Sequence, residues 1–390
     1  MVPVESLCPT FLALCPLSLP SPLKLLMVPG TFLAATALLV GGGVLLAQPV
    51  LGQKTKGERR ERIRQSPHYK DGAFQNLEYT PAFAEGYSPW KVFYSFLFKK
   101  TPNNVPPHPI PGVQTDLKNL PPDADLLVWF GHSSYYMQVA GVKILMDPVF
   151  SNHASPVSGI TKAFPGTVRY AVADLPEIDY LFISHDHYDH LDKATAKALR
   201  TKVGKVVCGL GVGAILEAWG FSPEQLIEAG WNETYPLEKN LVLHALPARH
   251  FSGRGLKRNS TLWMSYLLET PAGKIFLGGD SGYGKHFAQI GAQYGPIDLA
   301  ILENGQYNPA WHYIHCLPEE TLQAARDLGA KNLMPVHNAR FALAPHAWNE
   351  PMKELTRLNS PNPLHLVRPK IGEVVELFDG EKEWPQWWLD

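Results

Sequence analysis

A cluster of three histidines and two aspartates within six residues restricts the fold of this chain more than any other feature of its sequence. The segment SHDHYDHLD begins at position 184, directly behind the apolar run DYLFI. Side chains two positions apart point the same way in extended backbone, so His185 and His187 can bind one metal ion. The chain then turns towards a predicted helix at DKATAKAL, which brings Asp189 and His190 to a second ion. The pattern therefore predicts a metal site at the end of a buried strand.

Three later apolar runs also lead to a residue of a metal-ligand type. LVLHALPAR is followed by His250, KIFLGG by Asp280 and NLMPV by His337. Proteins that alternate strands and helices commonly place their sites where strands end in loops. The candidate metal ligands are therefore His185, His187, Asp189, His190, His250, Asp280 and His337. This set is too large for one tetrahedral zinc ion, and it suits two metal ions that share a bridging carboxylate.

Short β-prone runs and helix-like stretches alternate from residue 125 onward, which indicates an α/β layered domain. The β-prone runs are DLLVWFG, YYMQVAG, VKILMDP, DYLFIS, KVVCG, NLVLHALP, TLWMSYLLET, GKIFLGGD, DLAILE and KNLMPVH. The helix-like stretches include DKATAKALRTK, PEETLQAARDLG and WNEPMKELTRL. A composition of 45% apolar and 18% charged residues is typical of a globular chain.

Charge and cysteine usage exclude some classes of function. A net charge of −1 argues against a general electrostatic affinity for nucleic acid, which requires a basic surface. The four cysteines lack CxxC spacing, which argues against a disulfide framework and against a cysteine-only zinc site.

The N-terminal region has a different character. Residues 25–53 contain no charged residue, and the stretch is long enough to cross a bilayer. The basic residues that follow it closely are Lys54, Lys56, Arg59, Arg60, Arg62 and Arg64. This distribution favours a single retained membrane anchor with the main domain on the cytoplasmic side. The alternative is a signal segment that is cleaved on export. Residues 1–24 form a leader of doubtful status, because Met27 is a second candidate start.

The motif SHDHYDH resembles the signature of the metallo-β-lactamase superfamily, and the resemblance covers roughly residues 121–378. The chain is also similar to one branch of that superfamily, which contains N-acyl-phosphatidylethanolamine phospholipase D and the ascorbate-phosphate lactonases. The stretches that carry this similarity are VWFGHSSYYMQVAGVKILMDPVFSNHASP, ADLPEIDYLFISHDHYDHLD, GGDSGYGKHFAQIGAQYGPIDLAILENGQYNP and MPVHNARFALAPHAW. The resemblance implies a four-layer αβ/βα sandwich with a binuclear zinc site at one edge.

Carried over by position, the resemblance also implies the ligands of two Zn²⁺ ions per chain. One ion takes His185, His187 and His250. The other takes Asp189, His190 and His337, and Asp280 bridges the two.

Other residues are expected to assist the reaction. His132 and Asp147 match family positions close to the site, and we expect them to support it without binding metal. Asp189 is also a candidate to orient the attacking water. His315 is a candidate to donate a proton to a phosphoryl oxygen or a leaving group. The alternative for His315 is a histidine near a helix N-terminus without a catalytic role.

These features predict five regions. They are the leader at 1–24, a hydrophobic membrane helix or signal segment at 25–53, an irregular arm at 54–120, the hydrolase domain at 121–378 and a Trp-rich tail at 379–390. The stretch PWKVFYSFLFKK at 89–100 is aromatic with basic ends, which suits either a membrane interface or a helix packed on the core.

The predicted function is a binuclear zinc hydrolase that cleaves a phosphodiester, in the manner of a phospholipase D acting on a phospholipid-like substrate. One alternative is a lactone or other ester hydrolase of the same fold. Asn338 and Ala339 keep this alternative open, because the phospholipase pattern has Trp-Gly at those positions. The other alternative is a membrane-tethered metal-binding protein without turnover. The sequence leaves the oligomeric state open.

Overall fold

The structure is a computed structural model that describes residues 55–157, 159–255, 257–360, 363–378 and 382–389. The leader at 1–24 and the hydrophobic helix predicted at 25–53 lie outside these residues. Within the described ranges, each helix is too short or too polar to cross a membrane.

The N-terminal part of the described chain contains more regular structure than the irregular arm expected at 54–120. Its elements are α1 (Gly57–Gln65), the hairpin strands β1 (Tyr69–Lys70) and β2 (Ala73–Phe74), and α2 (Pro89–Phe98). Pro89 lies in the first turn of α2, where a helix loses nothing by the missing N–H. The prolines around residue 105 follow this helix and do not interrupt it.

One central sheet is built from the first part of the domain together with one late strand. Its strands are β3 (Leu126–Trp129), β4 (Tyr135–Val139), β5 (Val142–Met146), β6 (Ile178–Ile183), β7 (Val203–Gly209), β8 (Leu226–Ala229) and the late strand, β16 (Val374–Glu376). The strand order is β16-β3-β4-β5-β6-β7-β8. Neighbours from β16 to β5 pair antiparallel, and neighbours from β5 to β8 pair parallel.

The other central sheet repeats this arrangement. Its strands are β9 (Glu233–Pro236), β10 (Val242–Leu246), β11 (Ser265–Glu269), β12 (Lys274–Leu277), β13 (Ile297–Glu303), β14 (Ala330–Val336) and β15 (His365–Leu366). The order is β15-β14-β13-β12-β11-β10-β9. Pairing is antiparallel from β9 to β12 and parallel from β12 to β15. The two sheets therefore have the same pattern of strand pairing, although no sequence repeat is visible by eye.

Helices cover the outer face of each sheet. They are α3 (Lys193–Leu199) and α4 (Gly213–Ala218) on the first sheet, and α5 (His286–Tyr294), α6 (Pro318–Asp327) and α7 (Glu350–Leu358) on the second. Side chains alternate between the two faces of a strand. In β3, Leu127 joins the core between the sheets and Val128 the core under the helices, and Leu268 and Leu267 of β11 divide in the same way. The result is a four-layer α/β sandwich, as the family resemblance implied.

The Trp-rich C-terminal segment completes the core between the sheets. Trp384, Trp387 and Trp388 are all buried there. The ring of Trp387 lies 6.2 Å from that of Trp129 in β3. Indole rings contribute much apolar surface to a core, so this segment is part of the sandwich.

Candidate metal centre

The sheet topology explains why distant ligand-type residues meet. His185 follows β6, Asp280 follows β12 and His337 follows β14. Strands β12, β13 and β14 run parallel, so their carboxyl ends share one edge of the sheet. Because β10 and β12 both pair antiparallel with β11, β10 ends at the same edge and brings His250 there. The loop after β6 of the first sheet meets this edge of the second sheet, and the seven candidate ligands form overlapping groups there.

The first group of ligand atoms consists of imidazole nitrogens from His185, His187 and His250. Nε2 of His185 lies 2.8 Å from Nδ1 of His187. Nε2 of His250 lies 3.3 Å from the same Nδ1. Nitrogens bound to one tetrahedral zinc at the usual bond length are about 3.3 Å apart. Burial lowers the pKa of all three histidines, which favours the neutral imidazole that binds metals.

The second group contains Asp189, His190 and His337, with His132 beside them. Oδ2 of Asp189 lies 3.5 Å from Nε2 of His190 and 3.9 Å from Nε2 of His337. Nε2 of His132 lies 2.9 Å from the same oxygen. That close contact with Asp189 suits the supporting role expected for His132.

Asp280 lies between the two groups. Its Oδ2 is 3.8 Å from Nε2 of both His185 and His250, and 3.2 Å from Nε2 of His190. Its Oδ1 is 2.9 Å from Nδ1 of His337. Burial alone would raise the pKa of Asp280, but His190 and His337 hold it well below its usual range. A single ionised carboxylate can therefore face two metal positions.

Outer partners fix the orientation of the histidine rings. His190 donates from Nδ1 to Asp147 over 2.8 Å, and His250 donates from Nδ1 to the carbonyl of Ile314 over 2.8 Å. Oγ of Ser133 lies 3.0 Å from Nδ1 of His337. Among the described residues, Nε2 of His190 and Nε2 of His337 are buried and have no hydrogen-bond partner. Partners of this kind hold one ring nitrogen and present the other to a metal, so the donor set fits two metal ions.

The backbone is strained at several residues of this edge. His132, Asp147 and His337 have φ angles of 54°, 40° and 64°. Residues other than glycine rarely adopt this region of backbone conformation. The amide of His337 donates to the carbonyl of His132, and the amide of His132 donates to the carbonyl of Asn338. Strain of this kind is typical of functional sites, where the surrounding structure holds it in place.

His315 lies beside the ligands and is paired with a buried carboxylate. Its Nδ1 donates to Glu303 over 2.6 Å, and its ring stacks on that of His337 at 5.3 Å. Glu303 also accepts from the amides of Cys316 and Ser281. Burial alone would lower the pKa of His315, but the Glu303 carboxylate outweighs this effect and raises the pKa to about 9.

The sequence interpretation missed Glu303, although a signal for it was present. Glu303 is the last residue of β13, which lies between β12 and β14 in the sheet. The end of a parallel strand flanked by two ligand-bearing ends must lie between those ligands. The run DLAILE ends at Glu303, so this residue could be recognised once the strand order was known.

A cavity of about 430 Å³ opens onto the ligands. The metal-ligand residues that line it are His187, Asp189, His250, Asp280 and His337. Part of its wall comes from the segment before residue 121, including Asn76 and Phe83. The amide side chain of Asn76 donates to the carbonyl of His250 and accepts from its amide. The N-terminal segment therefore helps to position a candidate ligand.

Comparison with known proteins agrees with this geometry. A model of the Beta-lactamase superfamily domain matches residues 142–338. The chain is 38% identical over 331 residues to an uncharacterized protein of Mycobacterium tuberculosis, covering 83% of this chain and 88% of that protein. It is 30% identical over 275 residues to N-acyl-phosphatidylethanolamine-hydrolyzing phospholipase D 1 of Caenorhabditis elegans, covering 64% of this chain and 75% of that protein.

A solved structure has the same fold. Igni18, a metallo hydrolase from Ignicoccus hospitalis, superimposes with a TM-score of 0.51 at 23% identity, covering 65% of this chain and 97% of Igni18. With the matched domain, the long homologous alignments and a His/Asp cluster able to bind metal, the chain belongs to the beta-lactamase superfamily and is a metal-dependent hydrolase of the metallo-β-lactamase fold.

Proposed function

We propose that this protein is a binuclear zinc hydrolase that cleaves a phosphodiester bond in a phospholipid-like substrate. The observation that carries the proposal is the pair of ligand groups that share Asp280 and open onto one cavity. A structural zinc site is usually closed by four protein ligands, whereas a catalytic site keeps a position open. The lining of this cavity by ligand residues from both groups supports catalysis.

The ligand assignment follows the two groups. His185, His187 and His250 would hold one zinc ion, and Asp189, His190 and His337 would hold the other. Asp280 would serve both positions, since its carboxylate lies close to ligands of each group. Zinc ions held there would supply a Lewis acid and lower the pKa of a bound water.

Two side chains of the cavity carry out the proton chemistry. Asp189 lines the cavity and orients the attacking water through its carboxylate. The attacking water gives up one proton to the solvent through the open cavity, its oxygen forms a new bond to phosphorus, and the bond from phosphorus to the leaving oxygen breaks. His315 donates a proton to that leaving oxygen, since its Nδ1 is engaged by Glu303 and its other nitrogen is available.

A lipid-like substrate is supported by two observations. The C. elegans relative is named for hydrolysis of N-acyl-phosphatidylethanolamine. The cavity also combines its ligand residues with apolar side chains such as Phe83, Phe251 and Leu343. We further propose that residues 25–53 attach the protein to a membrane with the hydrolase domain on the cytoplasmic side.

Lactone or other ester hydrolysis is the competing proposal. The segment after His337 differs from the phospholipase pattern, and Asn338 is buried there. Its side chain donates to the carbonyl of Val336 over 3.0 Å, so it shapes the backbone next to a ligand. A changed backbone next to His337 would favour a substrate of a different shape.

The test combines metal analysis with a substrate panel. The full-length protein, purified in detergent, is expected to contain about two zinc ions per chain by elemental analysis. It is expected to hydrolyse bis(4-nitrophenyl) phosphate and N-acyl-phosphatidylethanolamine faster than lactones or carboxylic esters. His187→Ala, which removes a nitrogen from the first group, serves as the inactive control.

Two outcomes would contradict the proposal. A protein with no more than one tightly held ion would not have the binuclear site. Turnover of lactones without turnover of either phosphodiester would favour the competing proposal.

A further inference from the structure

The cavity has one cationic residue outside its histidines. Apart from histidines and aspartates, Arg258 is the only residue with an ionisable side chain among the described residues that line it. The other lining residues are neutral polar or apolar, such as Asn76, Thr80 and Trp311. A single arginine among neutral side chains favours a ligand that carries a negative charge at that position.

Arg258 is held close to the metal centre by an aromatic ring. Its guanidinium carbon lies 4.9 Å from the centre of the Phe251 ring. The Phe251 ring in turn lies 4.5 Å from the ring of His187 and 4.8 Å from that of His250. The Phe251 ring therefore lies between the guanidinium of Arg258 and the candidate ligands His187 and His250.

The loop that carries Arg258 is closed at its base. The amide of Asn259 donates to the carbonyl of Ser252 over 2.9 Å, and the amide of Ser252 donates to the side chain of Asn259 over 3.2 Å. The carbonyl of Asn259 also accepts from the amide of Phe74 in β2. These contacts fix the residue next to Arg258, so the arginine backbone has a defined position at the rim.

A glycine allows the loop to fold back. Gly253 has a φ of 146°, and a Cβ added there would lie 3.4 Å from Cα of Arg258 and 3.2 Å from the carbonyl oxygen of Lys257. A side chain at position 253 would be strained in this backbone conformation. The close approach of these two loop segments keeps Arg258 beside Phe251.

Arg258 also has no acidic partner in the described part of the chain. Arg59 and Arg62 pair with Glu217 and Glu233, whereas no described carboxylate forms an ion pair with Arg258. Arg258 is exposed to solvent and lines the cavity. An arginine that is positioned but unpaired remains available for a carboxylate or phosphate of a ligand.

We infer that Arg258 is a specificity-determining residue that binds an anionic group of the substrate remote from the scissile bond. The Phe251 ring separates Arg258 from the ligands, so the arginine contacts a part of the substrate that does not react. The preferred substrate therefore carries a second negative charge beyond the group held at the metal centre. This inference rests on the proposed function for the reacting bond, and it adds the chemistry of the rest of the substrate.

The test is a binding measurement that needs no turnover. The zinc-loaded full-length protein is titrated by calorimetry with alkylphosphonates of increasing chain length that end in a carboxylate, and with the carboxyl methyl ester of each. The two members of a pair share the phosphonate and differ in the remote charge. At the chain length that spans Phe251, the acid is expected to bind about 10-fold more tightly than its ester, as for one charge-assisted contact.

Variants of two neighbouring residues identify the source of the preference. Arg258→Met is expected to abolish the difference between acid and ester, and Arg258→Lys is expected to restore part of it. Lys257→Met is the matched control, because it removes an adjacent positive charge that does not line the cavity. The control is expected to keep the full preference.

The inference is overturned if the wild-type protein binds acid and ester equally at every chain length. It is also overturned if Arg258→Met keeps the preference, or if Lys257→Met loses as much as Arg258→Met. Failure of the proposed function has a different signature. In that case the acid preference depends on Arg258 as expected, but phosphodiesters are not hydrolysed.

Discussion

At the scale of single residues, Asp280 is expected to be the most sensitive position of the metal centre. Its carboxylate is ionised and lies within 4 Å of ligands from both sets. Asp280→Asn removes a negative charge from between two dications while keeping the side-chain shape. We expect kcat to fall by more than about 100-fold, the upper range for residues that merely support a ligand. Elemental analysis should show reduced occupancy of the second zinc position.

Asp186→Asn provides a control within the same motif. Asp186 is buried, its carboxylate accepts from the amide of Gly253, and it belongs to neither ligand group. We expect this variant to keep two zinc ions. An Asp280→Asn protein that retains two zinc ions and near-normal turnover would show that the bridging ligand lies elsewhere.

Glu303 should affect catalysis through His315. Glu303→Gln keeps a side chain of the same size but removes the charge that pairs with Nδ1 of His315. We expect kcat to fall about 10- to 100-fold, as for other partners that orient a site residue, with KM and zinc content close to normal. The measurement is steady-state kinetics on the phosphodiester, together with elemental analysis.

A double-mutant cycle distinguishes a linked pair from two independent residues. If Glu303 acts by orienting His315, then His315→Gln and the Glu303→Gln/His315→Gln double variant should have the same kcat. Losses that multiply in the double variant would contradict this linkage.

The sequence could predict the candidate ligands better than the residues around them. The seven candidate ligands follow apolar strands, and the structure brings all of them together. Glu303, Ser133 and Arg258 were missed for different reasons. Glu303 requires the strand order, Ser133 acts through one ring nitrogen of His337, and Arg258 requires the loop closure at Asn259. Each depends on contacts between segments that are distant in the sequence or on the conformation of a loop.

At the scale of secondary-structure elements, α2 presents an unusual surface. Trp90, Tyr94 and Phe98 are 81%, 60% and 67% exposed, and their spacing of four places them along one side of the helix. Lys91 and Lys99 are exposed on the same element or directly after it. Aromatic side chains flanked by lysines suit the interface of a membrane. The side chains of Phe93 and Phe96 lie outside the described part of the chain.

We expect the exposed side of α2 to contribute to activity on lipid surfaces. Replacing Trp90, Tyr94 and Phe98 with serine should reduce hydrolysis of a phospholipid in vesicles, while hydrolysis of bis(4-nitrophenyl) phosphate stays within about twofold, because the catalytic cavity is untouched. Sedimentation with vesicles measures the loss of binding directly. Tyr79→Ser is the matched control, since Tyr79 is 84% exposed and lies outside α2. An equal loss in the Tyr79→Ser variant would show that removal of any exposed aromatic ring has this effect.

The elements that the sequence predicted are those with strong patterns. All ten β-prone runs contain a strand, and the three helix-like stretches contain α3, α6 and α7. The strands β8 and β9 were missed because they are short and half exposed. The helix α4 has only 6 residues, too few to establish a helical period. Edge strands and short helices form because a neighbouring element is already in place, so local sequence carries little information about them.

At the scale of the whole molecule, the described chain is tied together across its predicted boundaries. Asn76 contacts the backbone of His250, and Trp387 packs near Trp129. Arg59 and Arg62 of the basic flank form ion pairs with Glu217 and Glu233. These basic residues therefore contact the domain, although their sequence pattern alone favoured a role beside a membrane. The sequence shows where a charged residue occurs in the chain, but it does not show which residue pairs with it in the fold.

These contacts determine where the chain can be shortened. Deletion of residues 1–53 removes the uncharged segment but none of the residues that line the cavity. We expect the shortened protein to be soluble, to bind two zinc ions and to hydrolyse bis(4-nitrophenyl) phosphate at the full-length rate. Deletion of residues 1–120 should instead lose activity, because it removes Asn76 and the remaining cavity wall before residue 121. Thermal unfolding and zinc content of the two proteins provide the comparison.

The same shortened protein tests the lipid substrate. Without residues 1–53 it should hydrolyse a phospholipid in vesicles more slowly than the full-length protein, because attachment raises the local concentration of enzyme near its substrate. Part of the activity should remain through α2 (Pro89–Phe98). Adding the three serine substitutions in α2 should then remove that remainder. If truncation leaves vesicle hydrolysis unchanged and the α2 variant matches it, neither segment serves a lipid substrate, and a soluble substrate such as a lactone phosphate becomes the better proposal.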